Sequence, residues 1–480
     1  KKMPLPNKTE LSLAPNNLTM KNLMEKQRDS IQGSGKAYSS TTTYEKYDTS
    51  IYDDIEYISI YSDGNTQHTN QQPDVSPTYW QDKRVFDNVV ENSSLNTTLE
   101  DYVTDTELSN TLDNYFNKQE TLDLFLGSDI LYKGSYGLTW DNINDNYIRT
   151  GSDSYTAIQS LMRRCVLNID GTVNYYLHPT NSNYKENGTP ANLDGTDGNV
   201  MVQIPKFYVK FSDTNGAKNV SISLTEDSGY TLHPAFTKGG VEVNYRYYPA
   251  YEGYNANGTL KSISGVTPTR SQNIGTFRTQ AENNGTGWQL IDWNLLNAVQ
   301  ILCLIEIGTW DAQAILGNGN STGSDYGVTT GLSNSIGNAS TSNPSNAWMS
   351  YRGIENLYAD IWKFIDGINA RDRVPYINSD YRTFANDTFT GDYVSSNVAM
   401  PNASASYIKN VTFSLNGFIP TEVGGSSSTY ITDGLWTNTG DRIVRFGGTA
   451  NLSSLGGLGA IIANVSSADV SAGIGSGVCF

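Results

Sequence analysis

The stretch Gly287–Ile307 reads GWQLIDWNLLNAVQILCLIEI. From Ala298 onward its apolar run is broken only at Gln300 and Glu306. No side of it is polar enough to face water, so the pattern predicts a helix buried in a core. It is too short and too interrupted to cross a bilayer, which takes about 18 or more apolar residues, and no other stretch reaches that length. A buried helix needs walls. VMVQIPKFYVKF (Val200–Phe211) and VEVNYRYY (Val241–Tyr248) are rich in β-branched and aromatic residues and read as strands. IENLYADIWKFIDGI (Ile354–Ile368) reads as a second helix followed by a turn. Gly- and Ser-rich loops separate these elements, but no linker divides residues 131–480, which therefore read as one β-rich region.

Composition points the same way. The 480 residues suggest two to four domains at about 100–200 residues each. The 44 Gly, with abundant Asn, Ser and Thr, favour turns and short strands, while 31 Tyr and 8 Trp argue against disorder. A net charge of -17 lacks the basic footprint of nucleic-acid binding. Cys165, Cys303 and Cys479 lie far apart without zinc-ligand spacing. They predict buried, reduced thiols and assembly in a reducing cytoplasm. The N-terminus lacks the apolar core of a secretion signal, and no membrane insertion is expected.

The first 130 residues divide by character. Residues 1–35 carry six Lys/Arg against three Asp/Glu and end in a Gly33-Ser34-Gly35 linker; Met20–Ile31 suits a short helix. Too poor in apolar residues to fold alone, this segment is expected to serve as an attachment arm to other proteins. Residues 36–86 alternate aromatic or β-branched with polar residues. Ile51, Ile55, Tyr57, Ile58 and Ile60 suggest two short strands with a turn at Asp63-Gly64. Spaced tyrosines and the closing Pro77-Thr-Tyr-Trp80 resemble small chitin- and cellulose-binding modules. That resemblance implies sugar stacking on Tyr44, Tyr57 and Trp80; the same rings equally suit the core of so small a module. In residues 87–130, Leu108, Leu112, Tyr115, Gln119, Leu122 and Leu126 are spaced 4, 3, 4, 3, 4. This is a heptad seam of about three heptads, restarted at a Thr104/Glu107 capping box. With no second seam to pair with, Leu108, Leu112, Tyr115, Leu122 and Leu126 predict a trimerisation stalk, hence a homotrimer; a helix lying on the C-terminal region is the alternative.

Several motifs carry nothing. Gln72-Pro73-Asp74 matches a calcium- and galactose-binding tripeptide but has no partner ligands. Gly473-Ile-Gly475-Ser-Gly477 opens no helix and is no phosphate loop. His68, His178 and His233 are isolated from any hydrolase motif. No catalytic residue, metal site or cofactor is expected.

A wider resemblance rests on ordered passages. Met162-Arg-Arg-Cys-Val-Leu-Asn168 leads to Asp170-Gly-Thr-Val-Asn-Tyr-Tyr-Leu177, and Leu193-Asp-Gly-Thr-Asp-Gly198 to Val202-Gln-Ile-Pro-Lys-Phe-Tyr208. Then come Met349-Ser-Tyr-Arg-Gly-Ile-Glu-Asn356, Ile361-Trp-Lys-Phe-Ile-Asp-Gly367 and Arg442-Ile-Val-Arg-Phe-Gly-Gly448. The C-terminal 350 residues resemble phage and prophage receptor-binding proteins with a C-type lectin-like fold, many of them variable proteins of diversity-generating retroelements. The resemblance implies a multidomain, mainly β protein with an α+β C-terminal C-type lectin-like domain and a short trimeric coiled-coil stalk. It implies a virion fibre that binds a host surface glycan or protein. The receptor-contacting positions then fall at Leu435, Trp436, Asn438, Thr449, Asn451, Leu452, Leu455, Ile462, Asn464, Val465 and Asp469, whereas Ile461 and Val478 read as core. Residues 447–480 hold one charge, Asp469, so contact there would be apolar. A capsid fibre or decoration protein of the same fold and a secreted bacterial adhesin are alternatives. Formylglycine-generating enzymes share the fold and are echoed by Gly287-Trp288 and Ile361-Trp-Lys-Phe364. They need a cysteine pair, which Cys303 and Cys479 do not make.

Overall fold

The computed structural model describes residues 134–151 and 155–480, together with five short strands nearer the N-terminus. Contacts divide the chain into two units, Lys1–Asp129 and Ile130–Phe480.

In the first unit Thr49–Tyr52 and Ile55–Ser59 pair antiparallel, with Tyr52 opposite Ile55, and Trp80–Asp82 adds a third strand. The chain therefore reverses between Tyr52 and Ile55; Asp63-Gly64 lies outside the described residues. Tyr57 stands opposite Asp82 and Trp80 opposite Ser59, whereas Tyr44 pairs with His68 in a separate two-stranded sheet. The heptad positions 108–126, the segment 1–35 and the tripeptide at 72–74 also lie outside the described residues.

The second unit is mainly β. Its first strands are β1 (Tyr136–Asp141), β2 (Asn146–Gly151), β3 (Arg163–Leu167), β4 (Val173–Tyr176) and β5 (Asn199–Pro205). They continue with β6 (Tyr208–Thr214), β7 (Ala217–Ser223), β8 (Thr231–Leu232) and β9 (Tyr245–Pro249). They form a five-stranded sheet, β8-β6-β7-β1-β2, and a four-stranded sheet, β9-β5-β3-β4. The run Val200–Phe211 is thus two strands in different sheets. Pro205, which has no N–H to give a ladder, ends the first.

Two helices follow. α1 (Ile274–Glu282) starts at Asn273, whose side chain accepts the Thr276 N–H at 2.9 Å. Its buried apolar residues are only Ile274, Phe277 and Ala281, too few to mark it in the sequence. After β10 (Gln289–Leu290) comes α2 (Trp293–Ile307), capped by Asp292 on Leu295 N and ended by left-handed Gly308. Every residue from Trp293 to Ile305 is buried, as the sequence pattern requires.

The largest sheet uses β11 (Trp362–Arg371), β12 (Val374–Ile377), β13 (Val394–Ser395), β14 (Ser406–Val411) and β15 (Pro420–Val423). It also takes β16 (Gly434–Thr437), β17 (Asp441–Phe446), β18 (Ile461–Val465) and β19 (Ile474–Gly475). Their order is β13-β12-β11-β17-β18-β16-β14-β15, with β19 parallel to β11. β20 (Val478–Cys479) pairs with β10. One face of this sheet packs with α2 into the main core; the other joins α1 and Trp288 in a second cluster.

The helix expected at Ile354–Ile368 does not form. The segment holds the short strand Ile354–Glu355, an irregular turn and most of β11. Asn356, Ala359 and Asp360 have positive φ of 50°, 66° and 58°, which no helix accommodates. β11 is buried on both faces from Trp362 to Ala370, so its apolar residues run on without the alternation that marks a half-buried strand.

Candidate functional site

Two parallel strands frame the candidate surface. β16 lies beside β18 with Leu435, Trp436 and Thr437 opposite Ile461, Ile462 and Ala463. Side chains alternate across a strand, and here that decides their surroundings. Leu435 and Ile461 enter the main core, while Trp436 and Ile462 join the second cluster with Trp362, Phe364 and Ile443. Trp362 and Trp436 meet edge to face, ring centroids 5.5 Å apart. Gly434 leaves room for this: a Cβ there would stand 2.6 Å from the Trp436 ring and 3.1 Å from Leu455 Cδ2. Trp436, Leu452 and Val465 form the half-buried rim of the cluster, and Asn438 and Asn451 are exposed.

Between β17 and β18 the chain passes through residues 447–460, with a 3-10 turn at Ser453–Leu455. Its backbone is fastened by groups outside the segment. Gln300 Nε2, on α2, donates to the Leu458 carbonyl at 2.8 Å, and Gln313 Nε2 to the Ser453 carbonyl at 3.0 Å. Asp433 Oδ2 accepts the Gly459 N–H at 2.6 Å, and the Asp360 carbonyl accepts the Ala450 N–H at 2.9 Å. Three loop side chains also take part. Thr449 donates to the Asp360 carbonyl, Asn451 Nδ2 to the Tyr326 hydroxyl, and Ser454 shares a hydrogen bond with Tyr407. The Leu452 and Leu455 side chains make none of these bonds, and Leu452 instead packs against the second cluster. Asn451 holds φ +71°, a conformation asparagine tolerates better than most residues.

Burial sets the charges beneath. Arg445 pairs with Asp469 at 3.2 Å, yet burial lowers its guanidinium to about 10, and its Nε has no hydrogen-bond partner among the described residues. Burial raises the Asp433 carboxyl to about 8, against the opposing Gly459 N–H. Asn464 Oδ1 is buried without a partner among the described residues.

No protein-family model matches the chain, and no curated protein matches it. Solved structures do match, among them variants of the Major Tropism Determinant. The I1 variant is 14% identical and covers 72% of this chain and 71% of its own, with a TM-score of 0.27. The M1 variant is 14% identical over 66% and 71%, with a TM-score of 0.27, and the U1 variant 15% identical over the same shares, at 0.24. A likeness at such scores carries no argument about function, which rests on this chain's own residues.

The structure divides the expected contact residues. Leu435, Thr449 and Ile462 are buried, at 0%, 8% and 8% exposure, and belong to the scaffold. Strand alternation buries Leu435, a bond to the Asp360 carbonyl draws in Thr449, and the second cluster takes Ile462. Trp436, Asn438, Asn451, Leu452, Leu455, Asn464, Val465 and Asp469 keep exposed or half-buried positions. Ile461 and Val478 are core, as read. The anchors Gln300, Gln313, Asp360 and Asp433 were invisible in the sequence. Their only mark is a polar residue inside an apolar run, as at Gln300.

The remaining candidates are structural. His233 caps a 3-10 turn through Ala235 N and meets Asn297 at 3.2 Å; burial lowers it to about 4, so it is neutral. The three cysteines are free and buried, and burial pushes Cys303 up and Cys479 up to about 12. Gly475 and Gly477 sit where a Cβ would strike Ile361 and Pro249, so this glycine run serves close packing. Among the described residues no helix is long and apolar enough to cross a membrane.

Proposed function

We propose that this protein is a virion fibre that binds a host cell-surface receptor through a C-type lectin-like tip. On this reading residues 1–35 join other virion proteins, residues 87–130 form the trimeric stalk, and the 36–86 module presents Tyr44, Tyr57 and Trp80 to glycans. The fibre assembles in the host cytoplasm, and its work is recognition without catalysis or metal.

The observation that carries the proposal is the fastening of residues 447–460 by their backbone. A surface whose path is set from below can change its outward side chains and keep its shape, which suits a protein that must match a partner. Trp436, Leu452 and Val465 supply apolar area at the rim, and tryptophan is enriched among interface residues worth about 2 kcal/mol or more. Three copies on one fibre would add avidity to a weak single contact. Adsorption of virions carrying Trp436→Ala together with Leu452→Asp tests the reading. The expected result is lost adsorption with the trimer retained and the chain still folded, though less stable. Full adsorption by the double variant would move recognition elsewhere, first to the 36–86 module.

A further inference from the structure

A cleft of about 650 Å³ opens beside Phe480, sharing no residue with the 447–460 loop. Its walls include Ile169, Asp170, Lys238, Thr286, Tyr381 and Phe480. That volume falls in the range of small-ligand sites, about 300–1,000 Å³.

The Phe480 ring is seated, not draped. Trp288 meets it edge-on, centroids 5.3 Å apart. Gly171 and Gly287, both at positive φ, make its seat. A Cβ at Gly171 would come 2.0 Å from the ring tip, and one at Gly287 2.7 Å from the ring edge. Over the ring, 3.5 Å from its centroid, lies the Lys238 ammonium, which donates to the Gly287 carbonyl at 2.7 Å; the Tyr381 ring is 5.5 Å away. Among the described residues no carboxylate stands within ion-pair distance of Lys238. Burial and the nearby Arg246 lower its pKa to about 7, with Cys479 and Asp292 acting the other way. An ammonium in this position lacks a counter-charge that a ligand could supply.

The rim is polar. Asp170 uses Oδ1 for both bonds from Thr172, leaving Oδ2 without a partner among the described residues. Thr286 is exposed, and its hydroxyl has no partner there either. We propose that the cleft binds an acidic saccharide residue. Its carboxylate pairs with Lys238, its apolar ring face lies against the Tyr381 ring, and its hydroxyls reach Asp170 and Thr286. A bare carboxylate would leave the Tyr381 ring unused; a neutral sugar would leave the ammonium without a counter-charge. The site is independent of the loop proposed for receptor contact.

Titration of the full chain with methyl glucuronide, methyl glucoside and acetate, followed by saturation-transfer NMR, separates these cases. Methyl glucuronide should bind at least tenfold tighter than the other two, about 1.4 kcal/mol. Lys238→Gln should abolish that advantage, and Asp170→Asn should weaken the glucuronide while leaving acetate unchanged. Equal binding of acetate would overturn the saccharide assignment. Glucuronide binding unchanged in Lys238→Gln, or absent from the wild-type chain, would overturn the site. Unfolding curves of both variants distinguish a lost contact from a lost fold.

Discussion

β11 and the 447–460 segment sit close in the fold and are held in opposite ways. In β11 the side chains do the holding: Phe364 and Ile365 are wholly buried, one on each face, and the ladder follows from them. In the loop the backbone is held, by Gln300, Gln313, Asp433 and the Asp360 carbonyl, while the Leu452 and Leu455 side chains donate and accept nothing. The difference separates two uses of sequence. Where side chains carry the structure, identity is fixed by packing; where another element carries it, identity is free for recognition.

The sharpest break of this comparison is in the strand. Phe364→Ala should cost about 3–5 kcal/mol, read as a shift in the denaturant midpoint. A loss no larger than that of a rim variant would show that β11 is not the side-chain-held element. The next is an anchor. Gln300→Ala frees the Leu458 carbonyl inside the core and should cost about 1–3 kcal/mol, and hydrogen exchange should rise across 447–460 more than in β11. Uniform exchange would mean the loop is not held from below.

A pH series sharpens the same point. The folded-state pKa of Asp433 lies above its unfolded value, so the folded chain binds the extra proton. The contribution of Asp433 to stability should be full below about pH 4 and be lost as pH rises toward about 8. Asp433→Asn should flatten that slope; an unchanged slope would assign it to other groups. Smallest of all, Asn438→Ala, at an exposed strand end, should move stability by no more than about 0.5 kcal/mol.

Those same regions show how far the sequence could be read. α2 was legible because a helix buried all round has no polar side, and GWQLIDWNLLNAVQILCLIEI has none. β11 was misread because a strand buried on both faces loses its two-residue period and, over Ile354–Ile368, mimics a helix. Only the positive φ at Asn356, Ala359 and Asp360 breaks that mimicry, and backbone sign is not written in those residue types. Of the candidate surface, Trp436 and the Leu452/Leu455 pair were legible as apolar residues in a nearly uncharged tail. The burial of Leu435 and Ile462 was not, because it depends on which face of β16 and β18 meets which cluster. The anchors could not be found at all, since Asp433 and Gly459, or Gln300 and Leu458, meet only after distant strands pair.

The pairing of β20 with β10 brings together residues far apart in the chain: Cys479 Sγ lies 3.0 Å from the Leu290 carbonyl, 189 positions away. β19 closes on β11 across a shorter but still long stretch, with Trp362 opposite Ile474. Loops of this length are entropically slow to close, so both strands should join late in folding. Until they do, the second apolar cluster is open on the side where α1 and Trp288 should be covered, and that is when the chain is most exposed to aggregation. Changes near residues 470–480 should therefore act on the rate of refolding, and on the yield of soluble protein, before they act on the stability of the finished fold.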